Sequence, residues 1–293
     1  MVIKSPSPGW RLLAGVGGSN RARLALTYVL VLVENLADLL YPFTIGLAID
    51  GLLAGKPERM APLIALWLAH LVVGLGRHLH DTRVFTAIYA EMATDVVRGL
   101  RAGEASDNII VGRISLSREL TDFLQHEIPA VAQVLVKSIG AVVMLFAYDA
   151  TVGAMAVAAL VPMLAASGWF TRRAGRLNAG LNDRYENEVR IVARSPLVAV
   201  RRHFLRLRWW QVRISDSEAT AWGIIELAAI GLTVAVLLRL TAMPGVTAGT
   251  IYAVLAYVFS FYEAASELPE RLQNAVRVGD IGDRLAGPSA RAS

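Results

Sequence analysis

Apolar residues run along this chain in long blocks broken by short polar punctuation. Six windows are apolar enough and long enough to cross roughly 30 Å of hydrocarbon as helices: about 24–53, 61–80, 128–147, 151–171, 219–240 and 249–268. The first is longer than a span needs, so its ends are expected to project past the lipid. Three connections are short. Ala54 to Met60 carries Gly55 and Pro57, Tyr148–Asp149–Ala150 is a bare turn, and the segment before the sixth window contains Pro244 and Gly245. The other two, about 81–127 and 172–218, are long but are not linkers. Ile88, Met92, Val96 and Leu100 recur every four residues among charges, as do Leu177, Leu181, Tyr185 and Val189, which is helical patterning. Two readings fit: separate helical hairpins capping the membrane, or the second to fifth spans continuing as helices that meet in turns near Ser106–Val111 and Ser195–Val198, where Pro196 breaks the helix.

Charge orients these elements. Of the 29 Lys and Arg, Lys56, Arg59 and Arg239 fall on the side of the short connections and Lys137 inside the third window; the others go with the termini and the long connections. By the positive-inside rule that side is cytoplasmic, and the expected location is a bacterial inner membrane. Composition agrees with the pattern: 55% of residues are hydrophobic and 18% charged, too apolar for an ordinary soluble domain. The chain has no cysteine, which excludes disulfides, thiolate nucleophiles and Cys-based metal sites. Residues 1–23 read as a cytoplasmic arm, because the apolar run Leu12 to Val16 is too short for a signal peptide. Residues 24–285 read as the membrane domain and 286–293 as a short tail.

Taken in order, several local patterns resemble the transmembrane domain of type I ATP-binding-cassette exporters. The first window holds Pro42, Gly46 and Asp50, like that family's Pro-x-x-x-Gly-x-x-x-Asp stretch. The first long connection closes with Gly112, Ser117–Arg118 and Asp122. Asp149 sits at the turn between the third and fourth windows, Pro162 lies within the fourth, and Thr247–Ala248–Gly249 opens the sixth. The resemblance implies an all-α membrane protein of six transmembrane helices with long cytoplasmic helical extensions. It also implies a homodimer and coupling turns at Ser106, Asp107, Asn108 and at Ser195, Pro196, Leu197. Family members usually continue into a nucleotide-binding domain. Here the sequence holds no Gly-x-x-x-x-Gly-Lys-Ser/Thr phosphate loop and no signature motif, so neither catalysis nor a cofactor is expected, and ATP would act only through a separate ATPase subunit.

Ionisable residues inside the windows are the candidate chemistry. Glu34 and Asp38, one helical turn apart, Lys137, Glu226 and Glu263 all fall where charge is costly and usually faces a bundle interior or a wet cavity. They are consistent with internal pairing, Lys137 neutralising an acid, or with a net-acidic translocation cavity. His70, His78 and His80 lie in or just below the second window, and His78 and His80 point to different faces of a helix, so a metal site is not expected. From Arg172 to Arg213 eleven Arg face three acids, with Trp209–Trp210 among them; beside a membrane this reads as topology and contact with lipid head groups rather than nucleic acid. The leading function is an exporter's transmembrane subunit. The alternatives are a degenerate exporter domain acting as a scaffold or regulator, and an ATP-independent, proton-coupled permease.

Overall fold

The computed structural model describes residues 20–102 and 107–286. They form α1 (Arg21–Leu53), a 3-10 turn (Pro57–Met60), α2 (Ala61–Ala102), α3 (Asp107–Asp122), a π-helical turn (Phe123–Glu127), α4 (Ile128–Tyr148), α5 (Ala150–Glu186), α6 (Glu188–Arg194), α7 (Leu197–Thr241) and α8 (Ala248–Ala286). No strand occurs among the described residues. Six stretches are long and apolar enough to cross a membrane: Arg21–Leu53, Pro57–Gly99, Ile110–Tyr148, Ala150–Arg194, Leu197–Thr241 and Ala248–Glu267. The chain is an all-α, multi-pass membrane protein. Large apolar side chains on these stretches, such as Leu71, Val72, Val161, Leu227 and Leu238, stand exposed; in water they would form aggregating patches, whereas lipid covers them.

The continuous-helix reading describes α2, α5 and α7, which run far beyond the length of a span. Their ends follow from local chemistry. Gly55 and Gly245 take φ of +69° and +79°, the left-handed region that a side chain resists, and each closes a short connection. Asp149 caps α5 by accepting from the Val152 N–H at 3.0 Å. Ser195 and Pro196 are extended, ending α6 and starting α7. A further break at Asn187 separates α5 from α6, which the pattern did not predict. The π turn before α4 follows from Pro129: its nitrogen has no hydrogen, and its ring crowds the carbonyl of Gln125 one turn earlier. The ladder slips by one residue, and the Ile128 N–H reaches back to the Phe123 carbonyl.

The helices cluster into two units. In the first, which among the described residues takes in 20–102, 107–141, 247–256 and 270–286, α2 packs against α1 and α3. Leu24, Val84, Phe85, Ile88, Leu120, Phe123 and Leu124 form its buried cluster, with Met92 and Tyr28 against it. This is what the four-residue spacing of Ile88 and Met92 is for. Each such side chain, fully buried, contributes about 1.5–3 kcal/mol. In the second unit, residues 142–246 and 257–269, α5 lies along α7. Trp210 of α7 covers Gly180, where a β-carbon would meet its ring at 2.6 Å. The sequence-based interfacial reading therefore suits Trp209, which is exposed and lies under the Arg213 guanidinium at 4.4 Å, better than Trp210, which packs against a helix. The apolar spacing also fades toward the far end of α5 and into α6: Leu181 is buried, but Tyr185 on α5 and Val189 on α6 are exposed.

Candidate functional site: a polar pocket beside Glu34 and Asp38

The exporter-like residues at the short connections serve as clamps. In the first unit, Asp50 accepts from the Thr247 hydroxyl at 2.6 Å and from the Gly249 N–H at 2.8 Å. It thereby satisfies a free donor at the start of α8 and places negative charge at the positive end of that helix. Thr247 in turn caps the helix through the Thr250 N–H at 3.1 Å. Gly46 and Gly249 let α1 and α8 touch backbone to backbone: a β-carbon on Gly249 would lie 2.0 Å from the Gly46 carbonyl oxygen.

In the second unit, Asp149 takes two bonds from Arg239, Nε to Oδ1 at 3.2 Å and Nη2 to Oδ2 at 2.9 Å. The guanidinium holds the Asp149 carboxyl down at about 2, below its ordinary 3.8. A depressed carboxylate pKa contributes stability that is complete above the unfolded value and is lost as pH falls through the folded one. Arg239→Gln should therefore flatten the loss of thermal stability of the purified protein between about pH 4 and pH 2, leaving the curve at pH 7 lowered but parallel.

Glu34 and Asp38 do share one face of α1, and that face lines a pocket of about 390 Å³ in the first unit. Its other walls come from α2 through His70 and Arg77, and from the π turn and α4 through Gln125, His126, Pro129, Ala130 and Gln133. The slip in the ladder ahead of Pro129 sets the direction of Gln125 and His126. The cation at Glu34 is Arg77, not Lys137. The Arg77 Nε donates to Glu34, and its Nη1 donates to Asp81 at 3.1 Å. The other Asp81 oxygen accepts from the Thr27 hydroxyl at 2.8 Å. Lys137 is half-buried on α4, is not among the lining residues, and makes no ion pair among the described residues. Arg77 was legible as a charge in the last turn of the second apolar window, but it was grouped with the long connections.

Counting roughly 20 residues, one membrane thickness, from the short connection reaches Glu34 backwards along α1 and His80 forwards along α2. Glu34 and Arg77 thus lie about one membrane thickness along their helices from the short connection. Asp38 is one turn deeper. The nearest basic side-chain atom is the His70 Nδ1 at 3.7 Å, and that nitrogen also meets the Tyr41 hydroxyl at 2.8 Å. Asn35 lies between the two acids in sequence, is 5% exposed, lines the pocket, and has no hydrogen-bond partner for its amide among the described residues.

The remaining predicted residues are elsewhere. In the second unit Glu226 accepts from the Tyr262 hydroxyl at 2.6 Å, a pairing that the sequence did not suggest, and Glu263 is exposed. At the turns, Ser106 lies outside the described residues and the backbone of Asp107 and Asn108 opens α3. Ser195 and Pro196 form the bend, and Leu197 beyond them is 86% exposed.

Comparison with known proteins agrees with this architecture. No curated protein matches the chain. The family described as the ABC transporter transmembrane region matches residues 13–249, which takes in the whole of α1 through α7, the polar pocket, both Asp clamps and the Ser195–Pro196 bend. The chain belongs to the ABC transporter transmembrane region family and is a transmembrane component of ABC-type transport.

Proposed function

We propose that the chain is the membrane subunit of an exporter, working as a homodimer in a bacterial inner membrane with a separate ATPase docked on its cytoplasmic side. The basic residues gathered with the termini and long connections support that orientation. The observation that carries the docking is the far end of the α5–α7 hairpin. There Val189 is 80% exposed, Leu197 86% and Val198 71%, on helices that project well past the length of a span. Apolar side chains held on a rigid tip in water mark a contact surface. ATP binding and hydrolysis would then belong to the partner, and this chain would convert the partner's movement into helix motion around the Glu34–Asp38 pocket. The exposed apolar faces of α7, including Trp222, Leu227 and Leu238, are where a second copy could replace lipid.

Affinity purification from native membranes tests this reading. The expected outcome is an ATPase subunit carrying a phosphate loop in the eluate, lost from the double variant Leu197→Asp, Val198→Asp while the folded yield of the membrane chain is kept. Recovery of the chain without any such ATPase, from cells in which it is normally expressed, would contradict the reading.

A further inference from the structure

We propose that the pocket at Asp38 binds a small hydrophilic organic cation through a primary ammonium group, and that this is the class of solute the subunit handles; the second clause rests on the transport reading above. The geometry assigns the charge first. The Arg77 guanidinium gives its donors to Glu34 and Asp81. Asp38 is left with a histidine nitrogen at 3.7 Å, too far for a hydrogen bond. Its side chain is 34% exposed and opens to the pocket, where a bound cation would supply the charge partner that the described residues do not.

The second observation is Asn35. The residue is 5% exposed and lines the same pocket as Asp38, and its amide has no hydrogen-bond partner among the described residues, so the surface it keeps is turned to the pocket. An amide that opens only into a pocket offers one donor group and one acceptor to a ligand there. An amine bearing a second polar group engages both; a bare proton on Asp38 would leave the amide as it is. His126, also in the lining, engages the Asp122 carbonyl through Nδ1 at 3.2 Å. The described residues bring no three metal-ligating side chains together, so a metal ion has too few ligands here. Only Val31, Pro129 and Ala130 among the lining residues are apolar, which disfavours a lipophilic cation. The volume, about 390 Å³, suits a small molecule.

The test is titration calorimetry of the purified chain in lipid nanodiscs, without an ATPase. Putrescine and ethanolamine are the probes, with tetraphenylphosphonium and succinate as comparators. Saturable binding of at least one amine is expected, with weaker or no binding of both comparators. Asp38→Asn should weaken the amine by at least about tenfold and Asn35→Ala by a few-fold. Size-exclusion profiles check that each variant is folded; if Asp38→Asn lowers the folded yield, Asn35→Ala, which removes no charge, carries the test. Failure of both amines to bind, equal binding to wild type and the folded variants, or tetraphenylphosphonium binding as tightly as the amines would overturn the proposal. Because no ATPase takes part, that failure leaves the exporter-subunit reading standing. Absence of an ATPase partner with amine binding intact would remove that reading instead.

Discussion

Gly249→Leu should remove most of the folded protein from the membrane. A β-carbon at this position falls 2.0 Å from the Gly46 carbonyl oxygen and 2.6 Å from the Asp50 Oδ2. The first obstacle is backbone, so no side-chain rotation relieves it; α1 and the start of α8 must separate. Separation also breaks the bonds that Asp50 receives from the Gly249 N–H and the Thr247 hydroxyl. Overpacking costs about 1–3 kcal/mol, and each hydrogen bond to a charged group contributes about 1.5–3 kcal/mol. Together these approach the ~5–15 kcal/mol that holds a typical protein folded. Gly231 provides the control, because a β-carbon there meets nothing within 4 Å. Gly231→Ala should therefore keep wild-type yield. Fluorescence-detected size exclusion of tagged variants reads both, and a normal monodisperse peak for Gly249→Leu would show that the backbone contact is dispensable.

Arg77→Met should be the second severe lesion, and Lys137→Met a mild one. Arg77 is the cation bonded to both Glu34 and Asp81, whose side chains are 13% and 8% exposed. Removing one member of a buried ionic group strands the others, at about 3–5 kcal/mol. The charge-balanced triple variant Arg77→Met, Glu34→Gln, Asp81→Asn should recover a good part of the lost yield, because no charge is then left without its counterion. Thr27 can still donate to the residue at position 81. Lys137 has no carboxylate partner among the described residues, so its replacement frees no anion. A large loss for Lys137→Met together with wild-type behaviour of Arg77→Met would reverse the assignment.

The acids on α1 were legible because Glu34 and Asp38 are neighbours on one helix, where a fixed 3.6-residue repeat sets who shares a face. Their partners were not. Arg77 is 43 positions from Glu34, and Glu226 and Tyr262 are 36 apart on different helices. A span that is apolar nearly all round carries no stripe from which to read its rotation, so its sequence leaves open which neighbour a given side chain meets. Asn35 was overlooked for the same reason: what makes it notable is that a residue 5% exposed lines the pocket, and burial is a property of the packed helices. The π turn had a visible cause in Pro129, yet its consequence, turning Gln125 and His126 toward the pocket, depends on what stands opposite.

By itself, then, the sequence determined that the chain has six spans, where each short connection turns, that the two long connections are helical, and that the whole resembles an exporter's membrane domain. Those are local properties, set by apolar length, by the conformational limits of Pro and Gly, and by charge bias. Only the tertiary structure decided that Asp50 closes α1 onto a helix start 197 residues away, that Arg77 rather than Lys137 answers Glu34, and that Asp38 and Asn35 are left facing a pocket with their capacity unspent. These depend on how each helix is rotated and shifted against its neighbours, which close packing settles between residues far apart in the chain.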